Sequence, residues 1–198
     1  MFPWQSFVEK PYRICSIDPG SDTMGVSYLD VDLAEQTITV IESSTFDASR
    51  YIDQGHIQTS VWGARFARIA AHQLKLYNSF QTFQPHLIVA ESPFMGRFPQ
   101  AFETLVEVRA AITSAAYCYN PAMPLELMDP PTAKKSVGAL TKKGSKENVQ
   151  ASVLALSDLI WNLPYPLEWL DEHCYDSIAV GYCSAQSILA GKVYPVRN

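Results

Sequence analysis

The sequence predicts a single α/β domain built on a mixed sheet, and three observations carry that expectation. Three strand-like stretches follow one another near the start, separated only by short turns. Beyond residue 60, helical and strand-like patterns alternate. The 198 residues, 47% of them apolar, suffice for one well-buried core and not for two large ones, so residues 1–198 are expected to form one domain.

Residues 13–18, 24–31 and 36–43 are rich in Ile, Val, Thr and Tyr, and Pro19-Gly20 and a turn near Asp32 divide them; this predicts an antiparallel meander. Residues 44–60 show no clear period and read as a loop. Trp62, Phe66, Ile69, Gln73, Leu76 and Phe80 then recur at three-and-four spacing, predicting a helix that lays one stripe on the sheet, with Ser60 as its N-cap. Pro85 ends it. The almost wholly apolar "HLIVAES" that follows predicts a strand buried on both faces and parallel to a neighbour. A second helix is expected over 100–118 through Phe102, Leu105, Val106, Arg109, Ile112 and Ala116, then a fifth strand at "LELMD". "PTAKKSVGAL" predicts a short helix with Pro131 early in it, "GSKENVQASVLALSDLIW" a longer one capped by Ser145, and "DEHCYDSIAVGYCSAQSILAG" a last one. There is no internal repeat, and the opening "MFPWQSFVEK" fits no pattern.

No apolar run of about 18 residues and no charged-then-apolar leader is present, so a soluble, non-secreted protein without a membrane partner is expected. Cys15, Cys118, Cys174 and Cys183 lack CxxC spacing, which fits reduced thiols and a cytoplasmic setting better than a disulfide framework or a zinc site. The net charge of −5 argues against a nucleic-acid partner taken as a sum. Its distribution is less simple, because Lys134, Lys135, Lys142, Lys143 and Lys146 cluster within thirteen positions. Such a cluster is either a solvated face or a phosphate-binding patch.

Asp18 and Glu91 end the first and fourth strands, and a parallel pairing would bring both to the sheet edge where ligands of open α/β sheets bind. Each alone is explained as a loop cap. Together they would repel, and a divalent cation is the simplest remedy. His173 and Asp176, three apart at the start of the last helix, share a face and suit one ion or a close pair, although such a pair alone is a weak signal.

With these residues in place, "IDPGSDTMGVS", "LIVAESPFMG", "KKSVG" with "GSKENVQ", and "HCYDSIAVGY" resemble, in order and spacing, the four blocks of the RuvC-type Holliday junction resolvases, over residues 13 to about 187. The resemblance implies a ribonuclease H-like fold: a five-stranded mixed sheet, three antiparallel meander strands plus two parallel ones, flanked by helices. Departures outside the blocks point to a divergent member, of the kind a phage encodes, acting in the cytoplasm of a bacterial cell or infected host. Asp18 matches the family's first-strand Asp, Glu91 its fourth-strand Glu and Asp176 its helix Asp. His173 takes a position that is Asp in some members and His in others, and Asp171 or Glu172 beside it could assist.

The implied activity is a metal-dependent endonuclease that cuts four-way DNA junctions by paired nicks. Its cofactors would be two Mg²⁺ or Mn²⁺ ions per site, about 4 Å apart, held by Asp18, Glu91, His173 and Asp176. Lys146 and either Lys134 or Lys135 match family lysines near the scissile strand. Phe94 matches an aromatic that wedges at the junction centre, a core Phe being the alternative, and Arg97 would add a phosphate contact. A two-fold-symmetric substrate implies a homodimer, with Leu105, Val108 and Ile112 as candidate interface or, equally, monomer core. Three other readings compete. A branch nuclease acting on Y-forms and flaps, or an RNA-directed relative, would use the same residues. A non-catalytic DNA-binding module would not need the acidic set. An actin- or Hsp70-type ATPase would need a second domain and phosphate loop.

Overall fold

The computed structural model describes residues 11–53, 59–93, 99–139 and 147–191. Strands β1 (Tyr12–Asp18), β2 (Thr23–Asp32) and β3 (Thr37–Asp47) form the expected antiparallel meander. Helices α1 (Ala48–Asp53), α2 (Thr59–Trp62) and α3 (Ala64–Phe83) lead to β4 (Leu87–Glu91), which is buried along most of its length and pairs parallel with β1. Helix α4 (Pro99–Tyr119) leads on to β5 (Leu125–Met128), parallel to β4. Helices α5 (Pro130–Ser136) and α6 (Glu147–Leu154), a short strand β6 (Leu159–Trp161) and α7 (Glu172–Leu189) complete the described chain.

The sheet is six-stranded, in the order β5-β4-β1-β2-β3-β6, not five-stranded as expected. The difference lies in 144–161, expected as one helix. Helix α6 stops at Leu154, and Asp158 is drawn away to accept hydrogen bonds from the Tyr182 hydroxyl and the Gln186 amide of α7. The bulky Leu159-Ile160-Trp161 that follows then pairs parallel with the open edge of β3 at Ile38–Val40. The expected cap Ser145 lies outside the described residues.

Two further expectations are corrected. Residues 44–47 are strand rather than loop, because β3 stays paired with β2 as far as Asp47, with Phe46 buried opposite Met24. The helix expected from Ser60 is broken at Gly63, whose φ of +79° no helix tolerates, so that α3 starts at Ala64 without a serine cap. Its buried stripe is Ala67, Ala71, His72, Leu76 and Phe80, while Trp62 and Phe66 stack on each other at the surface, 61% and 51% exposed.

Strand parity divides the core. Ile14 on β1, Leu29 and Val31 on β2, and Leu87 and Val89 on β4 face α5, α6 and α7. Cys15 and Ile17, Met24 and Val26, and Ile88 and Ala90 face α3 and α4, together with Val108 and Ile112. Those last two are therefore core residues and not a surface for a second copy. A bulge between Tyr28 and Leu29 shifts the register of β3, so that Ile38 and Val40 and then Ser43 and Thr45 point to the α7 side. None of the four cysteines forms a disulfide, and Cys15, Cys174 and Cys183 are buried. Among the described residues no helix is long and apolar enough to cross a membrane.

His72 is the one imidazole in the core stripe of α3; its Nε2–H donates to the Ser21 carbonyl at 3.1 Å, and burial pushes its pKa down to about 4. The unfolded chain takes up that proton near pH 6.5. Stability from this residue is thus complete above about pH 6.5 and is lost as pH falls toward 4. Denaturant unfolding across this window should show wild type losing about 1.4 kcal/mol per pH unit more than His72→Gln. Equal slopes for the two proteins would refute the assignment.

Candidate active site

The same parity that builds the core brings the acidic residues together. Asp18 continues the Ile14-Ser16 face of β1, and Glu91 continues the Leu87-Val89 face of β4, so both point toward α7. The β1–β4 pairs run to Ile17 and Ala90, which sets Asp18 beside Glu91 at the next step of this parallel ladder. Both stand at strand C-terminal ends, as the sequence leads one to expect.

Helix α7 supplies the other half. Its N-cap is Asp171, which accepts from the Cys174 N–H at 3.1 Å and from the Thr45 hydroxyl at 2.6 Å. Against the effect of burial, these hydrogen bonds hold the Asp171 carboxyl below its usual range. Asp171 thus caps the helix through one carboxylate oxygen, Oδ1. One turn on, His173 Nδ1 lies 2.9 Å from Asp18 Oδ2, and His173 Nε2 lies 2.9 Å from Thr23 Oγ1. A carboxylate oxygen only accepts, so Nδ1 carries the proton. Nε2 then accepts from the Thr23 hydroxyl in the neutral ring and donates to it in the charged one. The hydrogen bond to Asp18 raises the His173 pKa. No sequence pattern marks Thr23, whose role comes from the β2–α7 contact alone.

Glu91 and Asp176 feel the crowding most. Burial first, and then the charge of Asp18, push Glu91 up to about 7 and Asp176 up to about 6. Lys134, half-buried in the last turn of α5, opposes both shifts; the exposed Lys135 next to it does not figure in either. Helix phase thus turns Lys134, and not Lys135, toward the two carboxyls. A cavity of about 60 Å³ lined by Pro19, Glu91, Ser92, Pro93 and Leu105 opens beside Glu91. Phe94, Arg97, Lys142, Lys143 and Lys146 lie outside the described residues.

Among the described residues no three His, Cys, Asp or Glu side chains meet tightly enough to hold an ion as they stand. His173 instead occupies one oxygen of Asp18. The donor chemistry nonetheless suits a hard divalent cation: three carboxyls on one face, two of them driven toward protonation by burial and mutual repulsion, with an imidazole at hand. A cation would relieve the repulsion that a single lysine only offsets.

No family model matches the chain, and no curated protein sequence matches it significantly. Solved structures do. The RuvC of Thermus thermophilus superposes with a TM-score of 0.62 at 18% identity, covering 90% of this chain and 96% of that one. The yeast mitochondrial Holliday junction resolvase gives 0.63 at 17%, covering 94% and 84%. The fowlpox virus resolvase, solved with Holliday junction DNA, gives 0.51 at 15%, covering 92% and 99%. At these identities the likeness establishes the fold. The chain therefore has the ribonuclease H-like fold of these Holliday junction resolvases.

Proposed function

We propose that this chain is a metal-dependent endonuclease that resolves four-way DNA junctions by paired symmetric nicks. The observation that carries the reading is the placement of Asp18, Glu91, His173 and Asp176 on one face at the ends of two parallel strands, with Lys134 against them. That is the arrangement a phosphodiester needs: acidic donors for cations, and a fixed positive charge beside the phosphate. The likeness to junction resolvases supports the substrate.

Asp18, Glu91, Asp176 and, once it leaves Asp18, His173 are the residues that would hold two Mg²⁺ or Mn²⁺ ions. When bound, such ions orient the scissile phosphate, acidify the attacking water and stabilise the leaving oxygen. The chain's own part is positional. Asp18 sits centrally, in contact with His173 and coupled to both other carboxyls. Thr23 steadies the imidazole from the far side. Lys134 favours the ionised carboxyls and offers a contact to the incoming phosphate. Lys135, with Lys142, Lys143, Lys146 and Arg97, would extend the positive rim and Phe94 would wedge the crossover. Paired cutting of a two-fold junction calls for a homodimer. With Val108 and Ile112 in the core, the exposed Val61, Trp62 and Phe66 are the better candidates for its contact.

The deciding experiment is cleavage of end-labelled four-way, Y-form and linear DNA with Mg²⁺ or Mn²⁺. Asp18→Asn should cut slower by about a thousandfold or more while still binding junctions. In the same samples Mn²⁺ should raise the Tm of wild type and not of Asp18→Asn. Symmetric nicks confined to junctions support a resolvase; equal cutting of Y-forms makes it a general branch nuclease; binding without cutting by wild type would refute the enzyme. Lys134→Ala removes a charge that lowers Glu91 and Asp176, so their pKa values rise and the acid limb of the pH–rate profile should move to higher pH. An unmoved limb would remove Lys134 from the site. Light scattering should give a dimer mass for wild type and a monomer mass for Trp62→Glu, and an unchanged mass would move the interface elsewhere.

A further inference from the structure

The active-site face continues past Thr23 into a larger cavity for which the cleavage chemistry has no use. It measures about 400 Å³ and lies between the outer edge of β3 and the loop 162–170. Two of its walls belong to the site already described: Thr23, bonded to His173, and Asp171, the cap of α7. Whatever fills it would therefore lie beside the proposed cleavage site.

The far wall is aromatic. Tyr165 and Trp169 are within 8° of parallel, with ring centroids 6.3 Å apart. Tyr165 is held rigidly, its hydroxyl donating to the Ser43 carbonyl at 2.5 Å and accepting from the Ser43 N–H at 2.9 Å. Trp169 lies at the end of a 3-10 turn and is 74% exposed. An indole left open beside a phosphodiester site is a stacking platform, and every nucleobase has a face to lay on it.

The polar lining narrows the ligand. Glu42 accepts from Tyr165, and Asp171 from Thr45 and Cys174, each through one carboxylate oxygen, which leaves the other for an N–H donor. Arg50 pairs with Asp47 at 3.4 Å at the mouth and stays largely exposed, within reach of a phosphate. An added peptide strand is disfavoured: past Ile38–Val40, which β6 covers, Tyr165 already takes the outward N–H and C=O of Ser43.

We infer that this cavity is a nucleotide subsite that receives one unstacked base beside the scissile phosphate, stacks it on Trp169 and favours bases bearing an exocyclic amino group. The inference rests on the nuclease reading above, and it adds a source of sequence preference that the metal site lacks.

Four-way junctions carrying 2-aminopurine at each position around the crossover test it without divalent metal, by fluorescence with wild type, Trp169→Ala and Trp169→Phe. Stacking on an indole quenches this base, so at one position the signal should be low with wild type, rise with Trp169→Ala and fall again with Trp169→Phe. In Mg²⁺, junctions with each of the four natural bases at that position should be cut about tenfold faster with adenine, cytosine or guanine than with thymine, and Trp169→Ala should flatten the difference. If wild type binds and cuts junctions but Trp169→Ala matches it in fluorescence and base preference, the subsite is refuted and the resolvase reading stands. If wild type binds no junction, both fall.

Discussion

Helix α7 crosses β1 and β2 at two points where no side chain holds it off. A Cβ at Gly25 would overlap the His173 carbonyl, and one at Gly181 would run into Ser16 and Leu29. Between these points the gap is filled by hydroxyls rather than apolar groups: Ser27 lies 2.6 Å from Ser177 and 2.8 Å from Ser43, and Ser177 donates to the Cys174 carbonyl. Each buried hydroxyl is satisfied by its neighbours, and losing one would strand the others at a cost of about 1–3 kcal/mol. This close, hydrogen-bonded seat fixes both the rotation and the height of α7. Only from there do His173 and Asp176 reach the carboxylate at the end of β1.

The fold thereby imposes on its carboxyls an arrangement they would not adopt alone. Burial and mutual charge push Glu91 and Asp176 toward protonation, while the core of the sheet, which contains neither, supplies the stability that keeps them together. The imidazole of His173 and the ammonium of Lys134 offset part of the repulsion. Cations bound as proposed would relieve this repulsion once His173 gives up its oxygen of Asp18.

Asp171 links this chemistry to the neighbouring cavity. The carboxylate that caps α7 also accepts from Thr45 on β3, and both residues line the space under Trp169. Thr23 does the same on the other side, touching His173 with its hydroxyl while forming part of the cavity wall. A base seated there would bear on the start of the helix that carries two of the site residues. Base recognition and alignment of the acidic set are then physically coupled through contacts already present.

The sequence by itself determined the meander, the buried parallel strand and the last helix, because each has a strong local period, with Pro19-Gly20 and Pro85 as punctuation. It also offered Asp18 and Glu91 as candidates at strand ends, and His173 and Asp176 at helical spacing on the last helix. What it left undecided depends on partners distant in the chain. Leu159–Trp161 is a strand only because β3 offers an open edge, and 44–47 only because β2 is there to pair. Val108 and Ile112 became core through the packing of α4 on the sheet. The phase of α5 set Lys134 nearer the carboxyls than Lys135, and Thr23 met His173 through a contact spanning 150 residues. The cavity at Trp169 has no local signature, since β3, the 162–170 loop and the α7 cap make it jointly. Local pattern records how a segment prefers to bend and which face it buries; which faces meet is set by long-range packing, and the site exists only where they do.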